Sequence, residues 1–309
     1  MSWFKDLLLS WTELKMPPLG ERDKHLAQQF RDELAIDEGR AVAVASGASN
    51  TWDEFSAELR QYVDHEDPRE FLQWPVVRKS MFVSNPRYVA EELRFLRSRP
   101  DWNSRWKSGL LESPIGRPRP YPRYPKSSGN LIHHAYSVAR FEEFAGIQVD
   151  ALGLVYEFGG GYGSMARLFR QLGFAGKYLI QDLPGFSALQ NFYLGSLGYM
   201  GPGDSTLACV SDFEVLGEKL EEWRDDKPKL FIATWSLSES PLAVRSQVLD
   251  VLSDFDFLLV AFQHSFEDID NPQYFRTWRE KFAERLDIEI KEIEHLSGNS
   301  YLFAARKKS

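Results

Sequence analysis

Cysteine is nearly absent from this sequence: Cys209 is the single thiol in 309 residues. One thiol forms no intramolecular disulfide and builds no multi-thiolate zinc site, which suits a reducing compartment, so a cytoplasmic location is expected. No apolar run approaches the roughly 20 residues a bilayer span requires, so no membrane partner is expected. The opening MSWFKDLLLSW carries a brief apolar patch, but charge interrupts it and no small-residue cleavage site follows. It reads as an amphipathic helix rather than a signal peptide. No internal repeat is visible.

Net charge is −8 and unevenly spread: the window Arg78 to Lys126 holds 12 Lys/Arg against 4 Asp/Glu, leaving the remainder strongly acidic. Such a window can attract an anion, or pair with the protein's own acidic half. A small-molecule acceptor bearing a phosphate is therefore expected, and nucleic acid is not, because the acidic remainder would repel a long phosphate backbone. Composition leaves homo-oligomerisation open.

From Leu152 onward short apolar runs alternate with helical patterns, the signature of an α/β domain with a mainly parallel sheet. GLVYEF, KYLIQD, STLACV, KLFIATW and FDFLLVAF are the expected strands. Ser240-Pro241 and Asn271-Pro272 each place a capping residue before a proline at a helix start. After the fifth strand and its helix, DIEIKEIEHL and NSYLFAARK face each other across SGN, which predicts an antiparallel hairpin. Residues 1–126 are expected to be mainly helical, ending in the proline-rich connection SPIGRPRPYPRYP, and residues 127–309 to form the second region, opened by a helix over SSGNLIHHAYSVARFEEFAG.

Glycine is used sparingly, 21 times, yet four of the five positions 159–163 are glycine, in YEFGGGYGS. A glycine-rich turn between a first strand and a helix brings backbone N–H groups close to a ligand and favours negative charge. Gly161 to Ala166 fits G-x-G-x-x-A, and Asp182 lies 21 residues past Gly161, so a dinucleotide fingerprint is formally present. Three features favour S-adenosylmethionine instead. Glu157 ends the strand two residues before the glycines, where it can pair with an α-amino group. The domain closes in an antiparallel hairpin rather than a second mononucleotide-binding half. The glycine turn falls half-way along the chain, behind a helical region able to cover a substrate.

YEFGGGYGSMARLFRQLG, KYLIQDLPGFSALQNFYL, FIATWSLSESP, FDFLLVAFQHSFEDIDNPQYF and EHLSGNSYLFAARK, with SGNLIHHAYSVARFEEFAG ahead of them, together resemble the bacterial sugar O-methyltransferases, over roughly residues 70 to 306. These belong to the class I S-adenosylmethionine-dependent methyltransferases. The resemblance implies a Rossmann-like seven-stranded sheet with a C-terminal antiparallel hairpin and methyl transfer from S-adenosyl-L-methionine to a sugar hydroxyl. Carried onto this sequence, the pattern makes Glu157 the partner of the cofactor's ammonium. Gly159, Gly160, Gly161 and Gly163 become the backbone against its carboxypropyl arm, with Tyr162 bordering it. Asp182 would accept from the ribose hydroxyls and Leu183 pack on the adenine. Asp212 would receive the adenine amino group beside Phe213, or else cap the next helix.

An alcohol acceptor must lose its proton as the new bond forms, so a base near the methyl group is required. Glu239, after the fourth strand, is the first candidate for substrate contact or base. His295, at the end of the sixth strand, is the preferred histidine. Gln263, His264 and Asn271 follow the fifth strand on the same edge and are candidate substrate contacts. His133 and His134 lie in the first turn of the helix ahead of the domain, roughly 100° apart, so only one can face a ligand squarely. No metal site is expected, although the acids of EDID after His264 could hold a divalent ion.

Overall fold

The computed structural model describes residues 18–37, 50–80, 86–201 and 205–307. The expected amphipathic helix at the start of the chain lies outside the described residues. The chain divides into two compact units, one of Met1–Ser137, Gly161–Leu172 and Pro184–Asp204, the other of Val138–Gly160, Gly173–Leu183 and Ser205–Ser309.

The first unit is mainly helical. Its longer helices among the described residues are α1 (Glu21–Asp37), α2 (Asn50–His65), α3 (Pro86–Ser98), the first half of α4 (Gly129–Ala145), α5 (Ser164–Gln171) and α6 (Pro184–Ser196). α1 packs on α6 through Phe30 and Phe192, whose rings stack at 5.4 Å, and a Cβ added at Gly195 would meet Leu26 Cδ2 at 3.1 Å. The absence of a side chain at 195 lets the two helices approach. The proline-rich stretch is not uniformly extended: it turns near Gly116 and Arg117, which have φ +87° and +53°, and again before Tyr124, and it is built into this unit rather than hanging free. Gly116 N–H donates to Arg69 O at 2.7 Å and Leu72 N–H donates to Gly116 O at 3.0 Å, while Pro120–Tyr121 pairs antiparallel with Tyr124–Ser128.

The second unit is built on a seven-stranded sheet. Its strands are β1 (Leu154–Phe158), β2 (Lys177–Gln181), β3 (Leu207–Val210), β4 (Lys229–Thr234), β5 (Phe257–Gln263), β6 (Leu286–Glu292) and β7 (Asn299–Arg306), matching the five expected runs and the closing hairpin. Their order is β6-β7-β5-β4-β1-β2-β3, and every neighbour is parallel except β7, which is antiparallel to both β5 and β6. One face buries Tyr156, Leu179, Phe231, Leu258, Val260 and Leu302 against α7 (Phe213–Glu222), α8 (Leu242–Val251) and α9 (Asn271–Lys281). The central strands read as unbroken apolar runs because both of their faces are covered.

Two helix starts differ from expectation by one residue. Pro241, not Ser240, occupies the cap position of α8, and Ser240 Oγ donates instead to Ser236 O at 2.9 Å. Asp270 caps α9, accepting from Gln273 N–H at 2.9 Å, so Asn271 is released into the interior.

Candidate functional site

In an open α/β sheet the loops at the carboxyl ends of the strands converge where strand order reverses, here between β1 and β4. Glu157 is the penultimate residue of β1, level with Ile180 of β2 and Ile232 of β4. It is 2 % exposed. Tyr178 OH donates to its Oε2 at 2.9 Å. That neutral bond does not offset the loss of water, and Asp182 adds repulsion, so the carboxyl pKa is pushed up to about 8. The group is a buried acid whose ionisation would be favoured by a cation.

The backbone beside it is bare. Gly159 has φ +70°, donates its N–H to Gln181 O at 2.7 Å, and sits so near Ser236 that an added Cβ would lie 2.2 Å from Ser236 Cβ. A Cβ on Gly160 would lie 2.5 Å from Ile180 Cγ2 and 3.1 Å from Glu157 Oε2. These glycines are required by contact as well as by backbone angle. One residue past β2, Asp182 is half-buried; its N–H donates to Val210 O and its Oδ1 accepts from Leu183 N–H at 2.8 Å. Asp212 is exposed and caps α7, Oδ1 accepting from Glu214 and Val215 N–H at 2.7 and 3.2 Å, while Phe213 packs against the core. Of the two roles open to Asp212, the helix cap is the one its side-chain bonds show.

The loop after β4 is tightly held. Trp235 has φ +67° and ψ −36°, a conformation non-glycine residues avoid, and its indole Nε1 donates to Asn299 Oδ1 at 2.7 Å. Ser238 Oγ donates to Gln263 Oε1 at 2.6 Å, and Gln263 Nε2 donates to Glu239 Oε1 at 3.3 Å. Burial raises the Glu239 pKa and the Gln263 bond lowers it in part. Beneath the loop lies Arg245, fully buried with no carboxylate partner among the described residues. Its three donor atoms reach Ser240 O, Asn271 Oδ1 and Ser238 O, each at 2.7 Å. Asn271 is itself fully buried and gives its amide to Gln263 O at 2.9 Å and Ser238 O at 3.3 Å, so its observed contacts are those of a brace for the two loops. His264 Nε2 lies 3.0 Å from Ser300 Oγ. His295 lies in the β6–β7 turn, three residues beyond the end of β6 rather than on the strand.

The remaining expected residues belong to the first unit. Gly161 and Gly163 have φ +59° and +89°, and Gly161 O accepts from Gln190 Nε2 at 2.9 Å. Tyr162 is buried, its ring against Phe71 and Tyr193 and its hydroxyl accepting from Asn130 Nδ2 at 3.0 Å. His133 Nδ1 lies 2.5 Å from Oε1 of the fully buried Glu92. His134 faces elsewhere: its Nδ1 is inaccessible to solvent and unbonded, and desolvation with the neighbouring His133 brings its pKa down to about 3. Among the described residues no three His, Cys, Asp or Glu gather as a metal site, and no helix is long and apolar enough to cross a membrane.

Sequence reasoning missed Tyr178, Trp235, Ser236 and Arg245. Arg245 left one signal: it falls on the same helical stripe as Val248 and Leu252, where an apolar residue belongs.

The strand order, with β7 inserted antiparallel between β5 and β6, is that of the Rossmann-like class I methyltransferases. No protein-family model matches the sequence, and no curated protein matches it. Solved structures of similar fold include the methyltransferase PaMTH1 of Podospora anserina with SAH bound (12% identity, 75% of this chain and 92% of that one, TM-score 0.38). Human N-acetylserotonin methyltransferase in complex with SAM matches at 13% identity over 89% and 70% of the two chains, TM-score 0.35. The pre-rRNA processing protein fibrillarin of Methanococcus jannaschii matches at 9% identity over 53% and 70%, TM-score 0.38.

One expectation is corrected on physical grounds. A whole-chain charge of −8 does not exclude nucleic acid, so nucleic acid is no longer set aside in favour of a phosphate-bearing small molecule. Charges are felt over about 10 Å at ordinary ionic strength, so the local surface matters and the sum does not.

Proposed function

We propose that this chain is an S-adenosylmethionine-dependent methyltransferase that acts on a hydroxyl oxygen of a sugar. The carrying observation is Glu157: a buried carboxyl with no cationic partner among the described residues, at the end of the first strand of this sheet, beside glycines that leave its approach open. An α-ammonium placed there would supply the missing charge, and a nicotinamide dinucleotide carries no such group. The cofactor, when bound, supplies an electrophilic methyl group. In this reading Asp182 accepts from a pair of ribose hydroxyls at the end of β2.

The protein's share of methyl transfer is alignment, exclusion of water and management of one proton. Glu239, half-buried, lightly bonded and raised in pKa, is the group proposed to take the acceptor's proton. The sugar acceptor is supported by the sequence resemblance, which spans the β4 and β5 loops as well as the glycine turn. Calorimetry with SAH and with NAD tests the cofactor half; binding of NAD alone would overturn it. Incubation with labelled methyl donor and a panel of sugars, glycosides and amines, with the product bond assigned by tandem mass spectrometry, tests the acceptor half. Methyl found only on nitrogen would refute it. With a sugar acceptor in hand, Glu239→Gln is expected to lower kcat about 10²-fold or more while leaving SAH affinity unchanged.

A further inference from the structure

The basic window of the sequence displays its charge outward because its acids are turned inward. Of the four carboxylates between residues 78 and 126, Glu92 is buried against His133. Glu112 is buried against Arg167 at 3.0 Å and Ser128, and Asp101 is taken up by Arg99, Arg105 and the Trp106 indole. Only Glu91 is exposed. Arg94, Arg97, Arg123 and Lys126 are exposed and form no ion pair with any described residue.

These cations share one surface of the first unit. Arg94 and Arg97 lie three residues apart on α3 and so face the same way. The Arg97 guanidinium lies 5.2 Å from the ring centre of Tyr124 and 6.0 Å from that of Trp102, and the two rings are themselves 6.0 Å apart. Tyr124 begins the strand Tyr124–Ser128, so Lys126, two residues on, extends from the same strand face, and Arg123 sits in the turn before it. The result is a flat guanidinium held on aromatic rings and exposed to solvent, with three cations around it that pair with no described residue.

We infer that this surface docks single-stranded nucleic acid, one base stacking on the Arg97 plane while Arg94, Arg123 and Lys126 contact flanking phosphates. A membrane or an acidic peptide would use the charge but has no planar group for the stack; a base has both, and stacking on guanidinium or aromatic planes tolerates any base. The inference goes beyond the methyl-transfer reading and does not depend on it, since the probes need no cofactor.

The test is fluorescence anisotropy of the full chain with a labelled 12-nucleotide uridine RNA. Three phosphate contacts predict an affinity loss of about 20-fold between 50 and 200 mM salt, from a slope of about −0.7 per contact. Arg97→Lys keeps the charge and loses the plane. It should weaken binding by about fivefold with the salt slope unchanged. Arg94→Glu with Lys126→Glu should weaken it at least tenfold and flatten the slope by about 1.4, whereas Arg224→Glu, on the other unit, should change nothing. All are surface changes, and thermal melts check that each variant folds. Absence of RNA binding at 50 mM salt overturns the inference. So does equal binding by Arg97→Lys, by a 12-base-pair duplex, by polyglutamate or by phosphatidylserine vesicles.

Discussion

Replacing Glu157 by Gln separates a ligand-binding acid from a structural one, because the two roles predict opposite effects on the empty protein. The carboxyl is pushed from an ordinary 4.5 up to about 8 by burial, with Asp182 contributing. A carboxyl raised in the folded state opposes folding once the unfolded chain can ionise it. Stability conferred by the protonated form is therefore complete below pH 4.5 and declines as pH rises toward 8. At pH 7 the deficit is roughly 3 kcal/mol. Glu157→Gln keeps a partner for the Tyr178 hydroxyl and removes the deficit, so the ligand-free variant should melt several degrees higher at pH 7 than the native chain.

Binding should move the other way. The native carboxyl is about nine-tenths protonated at pH 7, so capture of an α-ammonium must release close to one proton. Calorimetry of SAH binding in two buffers of different ionisation enthalpy reads that number directly. Affinity should rise about tenfold from pH 6 to pH 7 and level off near pH 8, where the ligand's own amine begins to lose its proton. Glu157→Gln should abolish the proton release and weaken SAH by about 10- to 100-fold, the worth of a charged hydrogen bond. A variant that is less stable when empty yet binds SAH with unchanged affinity would refute this account of the site.

Three further outcomes follow from the geometry. Gly160→Ala drives a methyl group against Ile180 Cγ2 and Glu157 Oε2, and should cost about 1–3 kcal/mol in urea unfolding while reducing SAH binding below detection. Arg245→Met leaves Ser240 O and Asn271 Oδ1 without the Arg245 donors, removes one of the two donors to Ser238 O, and frees the Glu239 loop. It should lower kcat more than it raises KM once an acceptor is known, and leave SAH affinity intact. His134, neutral in the fold with its pKa near 3, gives stability that is complete above its unfolded value of 6.5 and lost as pH falls below it. The melting temperature should drop between pH 6.5 and 4, and His134→Gln should flatten that limb.

The sheet was legible because a parallel strand covered on both faces must be a short unbroken apolar run, and five such runs are punctuated by helical periodicity. The closing hairpin was legible from its alternation, and the glycine cluster from its density. Helix starts were legible to within a residue: Asp270 and Asn271 both suit a cap, and only packing chose Asp270 and sent Asn271 inward to Arg245. Tyr178, which holds Glu157, is 21 residues away and becomes its neighbour only through β1–β2 pairing. The backbone N–H and indole of Trp235 are tied to Ala261 and Asn299, residues distant in sequence that only the folded sheet brings beside it.

By itself the sequence determined which segments become strands and helices, and that an acid precedes bare backbone at a strand end, because those properties follow from the period and identity of nearby residues. Tertiary structure alone decided that this acid is buried beside one neutral hydroxyl, that a lone guanidinium braces the β4 loop, and that the acids of the basic window face inward while its cations face solvent. Ionisation and display of charge depend on which distant groups and how much water surround each side chain, and that is settled only when the chain has folded.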